Sequence, residues 1–113
     1  MNFLGKVVKG TGLGYKTANL MVEDRRCLEG LSDGVYLAKV SYRNREYPAL
    51  GVKGMRKDFE VRLLGFEGDL YGQTLAVELG KKMRDLIEFK DDQSLLRQIK
   101  EDIRRAEQYF KLK

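Results

Sequence analysis

Phe59-Glu60-Val61-Arg62-Leu63-Leu64-Gly65-Phe66 is the stretch that decides the fold. Phe59, Val61 and Leu63 fall on one face of an extended chain, and Glu60, Arg62 and Leu64 on the other. That is the period of a half-buried β-strand. Glu67-Gly68-Asp69 then reads as a turn, and Thr74 to Leu79 alternates again with Leu75, Val77 and Leu79 in register. Upstream, Gly34 to Tyr42 places Tyr36, Ala38, Val40 and Tyr42 on one face. Arg43-Asn44 is a turn, and Arg45 to Val52 returns as the hairpin partner. Two further segments, Leu4 to Lys9 and Ala18 to Val22, have strand character on either side of a glycine-rich stretch.

The period changes after Phe89. Leu95, Leu96, Ile99, Ile103, Ala106 and Phe110 recur at the three- and four-residue steps of one helix face, predicting a helix from about Gln93 to Phe110. Asp91 and Asp92 precede it and Lys111 and Lys113 end it, each matching the helix dipole. Short strands, glycine-rich turns and one terminal helix point to a small closed barrel with the helix packed outside, an arrangement that removes exposed sheet edges.

The 113 residues suit one domain, residues 1–113, with 42% hydrophobic and 35% charged residues. The net charge is +5, which favours anionic partners, although Lys and Arg are spread along the chain as on a solvated mixed-charge surface. The chain contains no histidine, which removes Ser-His-Asp and Cys-His catalysis. A general base must come from Asp, Glu, Lys or Tyr. Cys27, the one cysteine, has no disulfide partner and reads as a structural thiol. No run approaches the roughly 20 apolar residues of a membrane span. The first residues are too short and too polar for a signal peptide, so a cytoplasmic protein is expected.

Two places could carry chemistry. Gly10, Gly12 and Gly14 stand at alternate positions between two strands, where free backbone N–H groups can meet anionic oxygens. Lys9 and Lys16 add positive charge, and Thr17 and Asn19 offer hard oxygen ligands that suit Mg²⁺. The spacing matches neither the P-loop nor the dinucleotide fingerprint, and a hairpin-like loop would look the same. Glu60 stands on the well-patterned strand. It is either a general base or an exposed strand carboxylate paired with Arg62 or a lysine.

Taken in order, these segments resemble the riboflavin kinase (flavokinase) family in its ATP-using form. The resemblance rests on a strand and glycine-rich flap followed by Thr17-Ala18-Asn19, on Asp33-Gly34-Val35-Tyr36, on Phe59 to Phe66, and on Gly68-Asp69-Leu70-Tyr71-Gly72. It continues through Arg84-Asp85 and Phe89 to Leu95, Gln98-Ile99, Asp102-Ile103 and Ala106. It runs from about Gly5 to Ala106.

The resemblance implies a mainly β fold, a six-stranded antiparallel, Greek-key-like barrel with one C-terminal helix outside. It implies transfer of the ATP γ-phosphate to the riboflavin 5′-hydroxyl, giving FMN. Carried over by position, Thr17 and Asn19 bind Mg²⁺ and nucleotide phosphate. Gly10 to Gly14 form the flap, with Lys16 beside it, Glu60 accepts the hydroxyl proton, and Arg84 and Phe89 flank the flavin. Tyr71 and Gly72 fall at a turn.

The chain departs from the family pattern at Lys16, where proline is usual, and in a flap a few residues shorter. It also departs at Val52 to Asp58, which lacks the usual asparagine, proline and threonine, and at Arg62, where histidine is common. An adenylyltransferase domain is not expected. The expected partners are small-molecule substrates acting on a monomer, with no membrane or nucleic acid. The alternatives are a flavin- or nucleotide-binding domain without efficient transfer, and a basic barrel for single-stranded nucleic acid that uses tyrosines as stacking platforms.

Overall fold

The period-two segments become six strands in the computed structural model, which describes residues 1–11, 17–54, 59–66 and 68–111. They are β1 (Asn2–Thr11), β2 (Thr17–Val22), β3 (Gly34–Tyr42), β4 (Arg45–Lys53), β5 (Phe59–Leu63) and β6 (Thr74–Arg84), followed by the helix α1 (Asp92–Lys111). Every strand pairing is antiparallel, and the order around the closed barrel is β1-β2-β5-β4-β3-β6. The fold is therefore the mainly β, six-stranded barrel with a C-terminal helix that the sequence implied.

Local chemistry sets the turns. Arg43 and Asn44 have φ of 51° and 62°, the pair of left-handed residues that a two-residue hairpin between twisted strands requires. The hairpin register runs from Tyr42↔Arg45 to Gly34↔Lys53, and Lys53 Nζ donates to Asp33 Oδ1 at 2.8 Å beside its open end. Gly72 has φ of 82°, in keeping with a turn at Tyr71-Gly72.

The structure departs from the sequence expectation most at two strand ends and one added turn. β5 ends at Leu63 rather than Phe66, because Gly65 at φ 74° turns the chain away. β6 continues past Leu79 to Arg84, since β3 offers it partners as far as Val35↔Arg84. A 3-10 turn at Arg25–Leu28 follows β2, capped by Asp24, which accepts from the Arg26 backbone N–H at 3.1 Å. Its Leu28 is buried against the barrel core with Cys27 packed beside it. Burial raises the Cys27 thiol pKa, with the Asp24 charge adding to the shift, which fits a structural role. The turn had no hydrophobic period by which to be read.

The barrel interior is filled by Phe3, Val7, Leu20, Val40, Phe59, Val61, Leu75 and Val77, among others. Phe59 is fully buried and meets Phe3 edge to face, with ring centroids 5.0 Å apart. Gly51 makes room for it: a Cβ there would stand 2.8 Å from the Phe59 ring.

A second core lies outside the barrel, where Val35, Leu37 and Leu50 meet Ala106, flanked by Ile103, Tyr109 and Phe110. The helix packs on β3 and β4, whose residues are therefore buried on both faces.

The helix starts one residue earlier than expected and ends one later. Asp91 caps it by accepting from the Ser94 backbone N–H at 2.8 Å. Lys111 stands in its last turn, and Lys113 lies outside the described residues. Its buried face carries one charge. Asp102 is fully buried, and Arg84 at the end of β6 donates to it through Nε at 2.9 Å and Nη2 at 2.6 Å. Gln98 Nε2 donates to it at 3.0 Å.

Removing one member of a buried pair strands the other. Asp102→Ala should cost about 3–5 kcal/mol, read from urea unfolding. The double variant Arg84→Met/Asp102→Leu should recover most of that loss. A single-variant cost below about 1 kcal/mol would mean solvent already screens the pair.

Candidate functional site

Strand alternation turns Glu60 and Arg62 outward where Phe59 and Val61 turn in. In β2, Thr17 and Asn19 take the outward positions flanking the buried Ala18. The β2–β5 register sets Asn19 directly opposite Glu60 and Ala18 opposite Val61. Directly opposed residues have Cβ atoms about 4.5–5.5 Å apart, so the Asn19 amide and the Glu60 carboxylate share one small area.

A groove of about 310 Å³ lies over this area, within the range of small-ligand sites. Thr17, Glu60 and Arg62 line it from β2 and β5, and Val35 and Val52 from β3 and β4. Arg84, Leu86, Ile87 and Phe89 line it from the end of β6 and the segment after it, and Leu95 and Ile99 from the helix. Leu86 and Ile87 remain 38% and 48% exposed, an apolar rim without a covering group.

A second cavity of about 380 Å³ opens at the barrel mouth. Its lining includes Val7, Ala18, Val61, Leu63, Phe66, Leu70 and Tyr71, and again Thr17. Thr17 is thus common to both spaces, and it is buried.

Four of the residues singled out from the sequence, Thr17, Glu60, Arg84 and Phe89, line one groove. Asn19 joins them through the strand register. Gly10 pairs with Ala18 in the β1–β2 ladder, which places the start of the flap beside β2. Gly12, Gly14 and Lys16 lie outside the described residues, as do residues 55–58 and Glu67. Arg84 closes one side, but its guanidinium is committed to Asp102, and Nη1 also donates to the Asp85 carbonyl at 2.9 Å. It is the last residue of β6, held in place by these bonds, rather than a loop residue.

Arg62, which the sequence presents only as a pairing partner for Glu60 and as a replacement for a common histidine, lines the groove as well. Its Nε is buried without a hydrogen-bond partner. Burial is the main influence on its guanidinium and lowers its pKa, while the Glu60 and Asp102 charges oppose that shift and Arg84 adds to it. An unsatisfied buried donor costs about 1–3 kcal/mol, more when charged. The signal available in the sequence was a cation on the outward face of a strand next to the candidate base.

Among the described residues no group of three or more acidic, cysteine or histidine side chains could hold a metal ion. Mg²⁺ does not need one. It keeps several waters and takes one or two protein oxygens, with phosphates supplying most of the charge. The hydroxyl of Thr17 and the amide oxygen of Asn19 are donors of that kind.

The riboflavin kinase family model matches residues 1–110. A bifunctional riboflavin kinase/FMN adenylyltransferase from Mycoplasma pneumoniae is 31% identical over 94% of the chain. The chain spans only 41% of that relative's length.

A Streptococcus pneumoniae crystal structure named as a macrolide-efflux protein superposes with a TM-score of 0.78 and 31% identity, covering 94% of this chain and 36% of that one. The Trypanosoma brucei riboflavin kinase structure superposes at 0.73 and 24% identity, over 97% and 77% of the respective chains, a likeness of fold. No helix among the described residues is long and apolar enough to cross a membrane. The chain belongs to the riboflavin kinase family, as the match over residues 1–110 shows.

Proposed function

We infer that this chain transfers the γ-phosphate of ATP, with Mg²⁺, to the 5′-hydroxyl of riboflavin, giving FMN and ADP. The single observation that carries this reading is the position of Thr17. It lies between the groove that holds Glu60 and the cavity at the barrel mouth. A phosphate donor in the mouth and an acceptor in the groove would meet at that residue.

The groove suits the flavin. Phe89, Leu86, Ile87, Leu95 and Ile99 give an apolar surface for a flat aromatic ring system. The ribityl chain would then run toward Glu60. The mouth cavity, with Phe66, Leu70 and Tyr71, offers an apolar bed for the adenine base. Its phosphates would point at Thr17 and the flap that begins at Gly10.

In the transfer, the flavin 5′-oxygen attacks the γ-phosphorus, and its proton passes to Glu60. The bond from that phosphorus to the bridging oxygen breaks, and the electron pair leaves with ADP. Phosphoryl transfer depends on positioning and charge stabilisation more than on covalent chemistry. Thr17 and Asn19 would hold Mg²⁺, which would supply neutralisation of the phosphate charge. Asn19, opposite Glu60, keeps the carboxylate and the phosphate site in one register. Every group invoked comes from one copy of the chain, which is consistent with a monomer.

Two measurements test the assignment. Thr17→Ala and Asn19→Ala should weaken Mg²⁺–ATP binding while leaving riboflavin binding, read by flavin fluorescence, nearly unchanged. Equal loss of both ligands would mean these residues act only through folding.

Glu60→Gln keeps shape and hydrogen bonding but removes the proton acceptor. FMN formation should slow by roughly 10²–10⁴ in kcat, with riboflavin affinity altered by less than about tenfold. An equally fast Glu60→Gln enzyme would sink the base assignment. Saturable riboflavin binding by the unaltered protein, with no FMN from any triphosphate, would identify a binding domain instead.

A further inference from the structure

Among the described residues lining the groove, Arg62 is the cation with a buried N–H left over. Arg84 donates to Asp102 and to the Asp85 carbonyl, and Asp102 in turn accepts from Arg84 and Gln98. Arg62 has a buried Nε without a partner. Glu60 lies two positions away on the same strand face, about 6–7 Å along the strand, and among the described residues no ion pair joins them.

The groove thus presents a guanidinium that is partly stripped of water and unmatched by a protein acceptor. A planar cation of this kind recognises phosphate oxygens. Its place on β5 fixes which phosphate. If Glu60 takes the proton of the flavin hydroxyl, the phosphorus bonded to that oxygen arrives within reach of the next outward residue on the strand.

We propose that Arg62 is a phosphate-binding residue of this site, contacting the phosphoryl group as it is transferred and retaining it as the 5′-phosphate of the flavin product. This rests on the kinase reading above and adds a consequence to it: the site grips the phosphorylated flavin through a group that ignores the unphosphorylated one. Thr17 and Arg62 then flank the transferred group from neighbouring strands, and the base stands beside them.

The two flavins share a ring and differ by the phosphate, so comparing them isolates the contact. Riboflavin and FMN are titrated by fluorescence into the unaltered protein, Arg62→Gln and Arg62→Lys, with thermal unfolding of each ligand-free protein alongside. Arg62→Gln should lose roughly 10- to 100-fold in FMN affinity, the loss expected for a charge-assisted hydrogen bond. Its riboflavin affinity should stay within about threefold. Arg62→Lys should fall between, keeping the charge but not the fork. The ligand-free Arg62→Gln protein should unfold no earlier than the original, because an unpaired buried charge has been removed.

If FMN and riboflavin affinities fall together and the variant melts earlier, Arg62 is a packing residue and the proposal is wrong. If neither affinity changes, it is equally wrong, while FMN production by the unaltered protein would leave the kinase reading standing. An unaltered protein that binds neither flavin overturns the kinase reading, and this inference with it.

Discussion

The register of β5 against β2 and β4 is the constraint on which core and site both depend. β5 is only five residues long, and it is held between β4, which precedes it in the chain, and the sequence-distant β2. Its inward residues, Phe59 and Val61, are fully buried. Its outward residues, Glu60 and Arg62, line the groove. A slip of one residue would exchange the two sets, burying a carboxylate and a guanidinium and exposing a phenyl ring. The cost of that exchange keeps the candidate base in place, so the hydrophobic core acts as the positioning device for the chemistry. Gly51 belongs to the same constraint, because a side chain there would collide with the Phe59 ring.

The second fixed point is the Arg84–Asp102 pair. The helix meets the barrel through a modest apolar contact centred on Ala106 and Leu50. The groove is the space left between the barrel, the helix and the segment that joins β6 to it. A bidentate pair with a fully buried carboxylate sets where the N-terminal half of that helix lies, and with it Leu95 and Ile99. Burying a charge pair is seldom a route to greater stability than apolar packing would give. Its benefit here is directional: greasy contacts tolerate sliding, whereas a two-point hydrogen-bonded fork does not. The same commitment ties Arg84 to the helix and leaves Arg62 as the groove cation with a buried, unpartnered Nε among the described residues.

The sequence carried the strands because a half-buried strand writes its two faces into alternate residues, as Phe59 to Leu63 do. It carried the helix because Leu95, Ile99, Ile103 and Ala106 repeat with the helical period. The end of β5 was less legible, since Leu64 continues a hydrophobic run and only the conformation at Gly65 stops it. The extension of β6 was hidden for a different reason. Gly80, Lys81 and Lys82 are exposed or half-buried, and such residues follow the partner strand rather than any pattern of their own. Thr17, Asn19 and Glu60 were legible as candidates by residue type and order. That Asn19 opposes Glu60 is a fact of register, set by a pairing between distant segments, and no local pattern encodes it. The roles of the two arginines were equally non-local. Both are cations near the end of a strand, and only the buried Asp102 on the helix distinguishes them.

In a chain without histidine, the proposed proton transfer falls to a carboxylate. Glu60 stands outside the core, opposite Asn19 and two positions from Arg62 on the same strand face, which is the placement that the proposed acceptor requires. Around it the charges are graded by their burial. Asp102 is inside and paired, whereas Arg62 and Glu60 are both half-buried, Arg62 with a buried Nε that lacks a partner. A phosphate in the groove would meet a guanidinium whose buried Nε–H lacks a partner, beside the Glu60 carboxylate. That cation would offset the repulsion between carboxylate and phosphate that otherwise opposes placing an anion close to a base.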